Sequence, residues 1–147
     1  MNRSVVIKSI AGWAVLALLL TTPVQATIGP VSLQVHVDNV DTSGGPVRVA
    51  LFDRERWLSP RALASVQAAA REPSITVDVS APHSGRFALA VYQDVNNDGR
   101  LNRNIVGLPT EPVGFSNGAA IRFGPPSFDA AAVEVGAHGA TISVRLR

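Results

Sequence analysis

Apolar and polar residues alternate along six short segments of the chain, a pattern typical of strands with one buried face. In the first segment every second residue from Val31 to Val37 is apolar. The predicted strands cover residues 31–37, 47–52, 74–80, 86–93, 131–135 and 141–146. Turn-forming residues at 41–46 and 136–139 predict that the first two strands form one hairpin and the last two another. Short strands separated by turns predict an antiparallel β-sandwich.

The predicted strand 86–93 differs from the others on its second face. Its apolar face carries the larger side chains, and small residues, Ala88 and Ala90, lie opposite them. Small apolar residues at outward positions indicate that this face of the sheet is also covered by another part of the chain.

One segment does not alternate in the same way. Residues 61–71 are rich in alanine, Ser59-Pro60 is typical of the start of a helix, and Pro73 is typical of its end. We predict a short helix over 61–71, in a crossover at an edge or end of a sheet. The predicted fold class is therefore mainly β: an antiparallel β-sandwich, immunoglobulin- or transthyretin-like, with one short helix in a crossover.

Residues 1–26 have the three-part pattern of a secretory signal peptide. Arg3 and Lys8 precede an unbroken apolar run over 10–20, and a proline and small residues follow it. The run is too short to span a hydrocarbon core of about 30 Å as a stable anchor, although an uncleaved anchor is the alternative. We predict cleavage of this leader, one domain over 27–147, no membrane span after cleavage, and a periplasmic or secreted location.

The charge balance narrows the choice of partners. The chain has 13 Lys and Arg, 11 Asp and Glu, and no Cys. Loss of the leader removes two basic residues and no acid, so the remaining chain is formally neutral. The densest arginines, Arg54, Arg56 and Arg61, are interrupted by Glu55, so no nucleic-acid partner is expected. The absence of cysteine excludes a disulfide framework, a thiol nucleophile and a Cys-ligated metal.

The stretch after the predicted strand 86–93 has side-chain oxygens at positions one, three, five and nine of a calcium-loop spacing. The predicted metal residues are Asp94, Asn96, Asp98, Asn102 and, through its backbone carbonyl, Arg100. Gly99 permits the sharp bend that turns alternate oxygens inward. This spacing predicts a weak Ca²⁺ site, with a dissociation constant of about 10⁻⁴–10⁻³ M.

Two features of the same loop oppose a calcium site. Position twelve is Ile105, where a bidentate Glu is expected, and only the more distant Glu111 could replace it. Arg100 and Arg103 also cancel the two acidic charges within the loop. The alternative is an Asx-rich turn whose carboxylates accept hydrogen bonds from their own backbone amides.

A second motif matches the serine motif of hydrolases, but its surroundings do not fit a catalytic serine. Residues 114–118 match G-x-S-x-G around Ser116, and Asp129 and His138 follow in the order found in hydrolases. That motif requires a sharp strand-to-helix turn beside a parallel sheet. Asn117-Gly118 predicts a simple turn instead, so we do not expect Ser116 to be a nucleophile.

Three motifs in a linked order carry a resemblance to a known family. They are Arg86–Val91 with residues 94–102, which we call the acidic loop, then Gly107–Asn117 and Gly124–Ala130. Together they resemble the domain of unknown function 2141 (DUF2141), a family of uncharacterised exported bacterial proteins. The resemblance implies a small exported β domain with no established activity. Its motif falls on Asp94, Asn96, Asp98, Gly99, Asn102, Gly107, Pro109, Glu111, Gly114, Phe115, Ser116 and Asn117.

These observations favour a non-catalytic binding or accessory module for an unknown ligand or envelope partner. Function on a plain β scaffold usually lies in the loops, so the loops between 94 and 117 are expected to form the functional end. The predicted ligand-binding residues are Glu111, Phe115, Ser116 and Asn117.

The alternative function is a small periplasmic hydrolase or carbohydrate-active enzyme. Two of Asp94, Asp98 and Glu111 would then act as acid and base. That chemistry requires two carboxyl groups about 5–10 Å apart in a cleft.

Overall fold

The computed structural model describes residues 29–147, so the predicted signal peptide at 1–26 lies outside the described residues. The strands of the described part are β1 (Val31–Asp38), β2 (Val47–Phe52), β3 (Ala64–Ala68), β4 (Ser74–Ala81), β5 (Gly85–Gln93), β6 (Val113–Phe115), β7 (Val133–Val135) and β8 (Ala140–Arg145). A 3₁₀ turn (Ser116–Gly118) and helix α1 (Phe128–Ala131) lie between β6 and β7. No helix in this part of the chain is long and apolar enough to cross a membrane.

The strands form two sheets. The smaller sheet has the order β4-β1-β8, and the larger sheet has the order β3-β2-β5-β6, with β7 pairing with a different part of β5. All pairs are antiparallel except β1 with β8, which is parallel. The chain is thus mainly β with two mostly antiparallel sheets and one short helix, which confirms the predicted fold class.

The main core lies between the two sheets. Leu33 and Val35 of β1 and Leu51 of β2 are fully buried in one apolar cluster, together with Phe87 and Leu89 of β5. Burial of each such side chain contributes about 1.5–3 kcal/mol. The alternation that predicts the strands therefore also determines which face of each strand enters the core.

A second, smaller apolar cluster covers the outer face of β5. Ala88 is buried there with Phe115 and Phe128. The Trp57 ring lies 5.9 Å from the Phe115 ring and 6.1 Å from the Phe128 ring, and its Nε1 donates a hydrogen bond to the Pro126 carbonyl at 2.9 Å. The prediction that both faces of this strand are covered is confirmed.

The predicted helix at 61–71 is wrong. Its centre is β3, an edge strand in which Ala64, Val66 and Ala68 are the less exposed positions, and it pairs with β2. The alanine-rich composition favours a helix only weakly, and tertiary context routinely overrides such a preference. The free edge of β2 supplies backbone partners and the core receives Val66, so the strand forms instead.

The two predicted hairpins are also wrong, although all six predicted strands are present. β1 pairs with β4 and β8, and β2 pairs with β3 and β5, so the chain crosses between sheets at 41–46. Likewise β7 pairs with β5 and β8 pairs with β1, and the described contact between their ends is a bridge from Gly136 to Gly139. Turn residues mark chain reversals, but they do not specify which sheet the next strand joins.

Candidate ligand-binding site

The loop after β5 closes on the buried carboxylate of Asp94. One oxygen of Asp94, Oδ1, accepts a hydrogen bond from the Asp98 backbone N–H at 3.0 Å. The other, Oδ2, accepts from the Gly99 N–H at 2.9 Å and from Arg48 Nε at 2.8 Å. Asp94 is fully buried, and its charge is balanced by a guanidinium and two amides. It therefore acts as the internal support of the turn.

Asp98 organises the exposed side of the same loop. Its Oδ1 accepts from the Arg100 N–H at 2.8 Å, and its Oδ2 accepts from the side-chain amides of Asn96 and Asn102 at 3.0 and 3.1 Å. These bonds lower the pKa of Asp98 from its ordinary value, and the bond from the Arg100 amide contributes most. The structure thus brings Asn96, Asp98 and Asn102 together, whereas Asp94 is held by Arg48.

Glu111 ties this loop to the segment before β6. Its Oε1 accepts from the Val95 N–H and its Oε2 from the Asn102 N–H, both at 2.9 Å, and the residue is only 8% exposed. All three acidic residues near the loop therefore accept backbone amides. This arrangement agrees with the Asx-rich turn and does not favour the use of these carboxylates as an acid and base pair.

Two observations on the acidic loop concern the predicted Ca²⁺ site. Within residues 29–147, no group of three or more His, Asp or Glu side chains is arranged to hold a metal ion. The Asn102 Oδ1 is buried and has no hydrogen-bond partner among the described residues. One oxygen at position nine of the calcium-loop spacing is thus left unsatisfied.

Sequence reasoning missed the role of Gln93, the last residue of β5. Its side chain is fully buried. Its Nε2 donates to the carbonyls of Asp41 and Gly45 at 2.6 and 2.9 Å, and its Oε1 accepts from the Asp41 N–H at 2.9 Å. A polar residue at a core-facing position of an alternating strand was the available signal. Gln93 fixes the loop between β1 and β2 against the acidic loop.

Ser116 and Asn117, two of the predicted ligand-binding residues, make contacts within the protein. The fully buried Ser116 hydroxyl donates to the Ala131 carbonyl at 2.5 Å and accepts from the Leu89 N–H at 2.8 Å. Asn117 adopts a left-handed conformation with φ of 56°, and its side chain donates to the Ala130 carbonyl at 2.9 Å. Both residues connect the end of β6 to α1, and the predicted turn at Asn117-Gly118 is confirmed.

Residues 102–110 form a narrow loop beside this region, which we call the apolar-tipped loop. Backbone bonds of 2.9 Å, from Asn104 N to Leu108 O and from Thr110 N to Asn102 O, close it. Ile105, at its tip, is fully exposed, and Val106 is 72% exposed. The loop is thus held in shape at its base and presents apolar side chains at its tip.

An apolar cavity of about 60 Å³ lies between the apolar-tipped loop and residues 121–125. Its lining includes Leu58, Tyr92, Leu101, Leu108, Phe115 and Ile121. Burial raises the pKa of the Tyr92 phenol above its ordinary value, so its hydroxyl is uncharged at neutral pH. A short hydrocarbon group is the kind of ligand group that this lining accepts.

A second cavity of about 360 Å³, which we call the arginine cleft, adjoins the apolar cavity. The two cavities share Leu108, Phe115 and Ile121 among their lining residues. The polar part of the cleft is formed by Glu111, Arg122, Arg145 and Arg147. Of the predicted ligand-binding residues, Glu111 and Phe115 line this cleft, and Ser116 and Asn117 do not.

A family comparison agrees with the resemblance in the motifs. The model of a family described as uncharacterised protein conserved in bacteria (DUF2141) matches residues 35–143, which is most of the chain. The chain belongs to the DUF2141 family. No curated protein matches it, and no solved structure matches it. Membership of DUF2141 confirms the resemblance seen in the motifs and assigns no activity.

Proposed function

We propose that this DUF2141 chain is a non-catalytic binding module whose ligand site is the apolar cavity together with the adjoining arginine cleft. The observation that carries this proposal is a partly enclosed apolar cavity between two loops, lined by Leu108 and Ile121 and continuous with a polar cleft. Ligand sites in proteins typically combine an apolar lining with a few placed polar groups.

The carboxylates near the site support a non-catalytic role, because all of them are engaged in hydrogen bonds with the backbone. Asp94, Asp98 and Glu111 all accept backbone N–H groups. Asp98 and Glu111 hold the base of the apolar-tipped loop through Asn102, and Asp94 supports the turn that precedes it. The acidic loop therefore serves as the scaffold of the site. The functional end predicted between 94 and 117 is retained in this proposal, with the ligand placed beside the acidic loop.

A matched pair of variants tests the apolar cavity. Leu108 lines both cavities and is 41% exposed, whereas Ile105 is fully exposed and lines neither. We expect Leu108→Asn to weaken binding of the neutral probe 4-methylpentanamide about 5-fold, because about 1 kcal/mol of apolar contact is lost. Ile105→Asn makes the same change of side-chain type and should leave binding unchanged. Titration of methyl and amide NMR signals measures both affinities.

The proposal fails if 4-methylpentanamide does not bind the wild-type protein. It also fails if Ile105→Asn weakens binding as much as Leu108→Asn, because the probe would then bind exposed apolar surface in general. Circular dichroism of each variant checks that the fold is retained.

A weak calcium site in the acidic loop is a second candidate function. The buried, unsatisfied Asn102 Oδ1 favours it, because that oxygen has no protein partner in the described part of the chain and belongs to the amide whose Nδ2 donates a hydrogen bond to Asp98. Asn96, the Arg100 carbonyl and Asp94 are the other oxygen ligands that the spacing predicts. Of these, Asp94 is hydrogen-bonded to Arg48 in the structure, so the exposed side of the loop would supply most of the ligands. An ion there would order the loop that supports the ligand site.

We also propose that the protein is exported, with residues 1–26 as a cleaved leader. The support is the basic start and the apolar run of the sequence. A periplasmic or secreted location is consistent with a domain whose described part contains no cysteine and relies on its apolar core.

A further inference from the structure

Three of the arginines that have no acidic partner in the described residues line the same cavity. In the described residues, salt bridges pair Arg48, Arg54, Arg56 and Arg86 with acidic side chains. Arg122, Arg145 and Arg147 form no salt bridge within residues 29–147, yet all three line one cavity. The lining of one cleft by three cationic side chains favours an anionic ligand.

The backbone places two of these arginines on one face. Leu146 is fully buried, and side chains alternate along an extended chain, so Arg145 and Arg147 project away from the core together. Reciprocal backbone bonds of 3.1 Å between Val113 and Arg147 attach this end of the chain to β6. The base of the cleft is therefore built from paired backbone.

Glu111 is the acidic side chain that lines the cleft, and its carboxylate is already engaged in hydrogen bonds. Both of its oxygens accept backbone amides, from Val95 and Asn102. The α-carboxylate of Arg147, the last residue of the sequence, is a second negative group here, and its oxygen accepts a hydrogen bond from the Val113 N–H at 3.1 Å. Two carboxylates engaged in this way do not neutralise three guanidinium groups. The cleft keeps an excess of positive charge directly beside the apolar cavity.

Resting on the proposed binding function, we propose that the ligand is a small amphipathic carboxylate. Its carboxylate binds Arg122 and Arg145 in the cleft, and its compact apolar group enters the apolar cavity. Guanidinium groups bind carboxylates through two parallel hydrogen bonds, which gives both strength and orientation. A cavity of about 150 Å³ accepts benzene. By the same proportion, the apolar cavity of about 60 Å³ encloses about two or three carbon atoms, so it suits the branched end of an isobutyl group, whose remaining carbon lies toward the cleft.

Three probes separate the contributions of charge and hydrocarbon. The first probe is 4-methylpentanoate, the second is the neutral 4-methylpentanamide, and the third is acetate. We expect the purified protein to bind 4-methylpentanoate about 10-fold more tightly than either of the other two, because a charge-assisted contact is added to the apolar one. NMR titration measures all three affinities under identical salt conditions.

A double variant tests the arginines directly. Arg122→Gln with Arg145→Gln should weaken binding of 4-methylpentanoate about 10-fold, and should weaken binding of the amide much less, because the amide carries no charge. The control is Arg61→Gln with Arg71→Gln, which removes the same charge from positions that line neither cavity. This control should retain the preference for the carboxylate.

The outcomes distinguish this inference from the proposed function. If the amide binds as tightly as 4-methylpentanoate, the carboxylate inference is wrong and the apolar binding site remains. If acetate binds as tightly as 4-methylpentanoate, the apolar cavity contributes nothing and both proposals are wrong. Failure of all three probes to bind also overturns both, and an equal loss in the control double variant overturns the assignment to the cleft.

Discussion

At the scale of single residues, the polar side chains at the end of β5 act mainly as acceptors for the backbone. Asp94 and Asp98 lie at calcium-loop positions, yet each carboxylate oxygen already accepts at least one hydrogen bond. A calcium loop and an Asx-rich turn require the same residue types, because both place oxygens inside a tight turn. The unsatisfied oxygen of Asn102 is the feature that separates the two interpretations.

Thermal unfolding tests the calcium site. If the dissociation constant is about 10⁻³ M, Ca²⁺ at about 10 mM adds roughly 1.4 kcal/mol of stability. For a domain of this size we therefore expect Tm to rise by about 3–6 °C. Asp98→Ala should abolish the increment, because Asp98 supplies the charged oxygen of the cluster.

The control for this test is Asp78→Ala, on an exposed position of β4. This variant removes one carboxylate outside the acidic loop, so Ca²⁺ should raise its Tm as much as that of the wild type. Melting curves that do not respond to Ca²⁺ in the wild type would exclude the site. An equal response in wild type and Asp98→Ala would show that the ion acts elsewhere.

At the scale of elements, the short strand β6 links the two sheets. It pairs with β5 in the larger sheet, and Val113 forms backbone bonds with Arg147 beyond the end of β8. This junction requires a close approach at Gly114, where a Cβ atom would lie 2.5 Å from the Arg145 carbonyl oxygen and 2.8 Å from Val144 Cγ1. Only glycine fits such a contact without displacement of the backbone.

Substitution of this glycine should destabilise the junction. We expect Gly114→Ala to lower the free energy of unfolding by about 1–3 kcal/mol, because the added methyl group overlaps a backbone atom. Gly124→Ala is the matched control, since a Cβ atom there has no neighbour within 4 Å. It should change stability by no more than about 0.5 kcal/mol.

Urea unfolding of the two glycine variants measures the difference. Similar stability for Gly114→Ala and wild type would mean that β6 and β8 separate easily. The arginine cleft would then lack a rigid base.

At the scale of the whole molecule, two clusters of apolar residues organise the domain. The larger lies between the sheets, and the smaller covers the outer face of β5 and extends to Phe115 and Ile121 beside the cavities. The ligand site is thus placed where residues 121–125 and the apolar-tipped loop meet the larger sheet. The two sheets beneath the site are stabilised by the burial of apolar side chains, and the apolar-tipped loop beside it carries exposed apolar side chains.

Cleavage of the predicted leader at residues 1–26 tests whether the chain is exported. In a bacterial host with a periplasm, we expect the mature protein to begin at Thr27, which mass spectrometry of the periplasmic fraction measures. Leu18→Arg places a charge in the apolar run and should block processing, because the run must remain apolar to be recognised. Asn2→Arg adds the same charge before the run and should not block it. Recovery of an intact chain from every fraction would overturn the proposed cleavage.

The sequence by itself determined six of the eight strands of the described residues and which of their faces are buried, but it did not predict β3 or β6. Alternation from Val31 to Val37 is a local property, and the free energy of burying apolar side chains follows it directly. The small residues Ala88 and Ala90 likewise predicted the covered second face. The motifs from Arg86 to Ala130 were sufficient for recognition of the family.

Only the tertiary structure decided the strand partners, the strand at β3 and the two cavities. A turn does not specify the sheet of the next strand, and the open edge of β2 overrides the weak helical preference of Ala64–Ala68. The arginine cleft combines Arg122 with Arg145 and Arg147, and the apolar cavity combines Leu58 with Leu108. Such groupings depend on contacts between residues that are distant in sequence. These contacts form only when the chain folds, so no local pattern in the sequence predicts them.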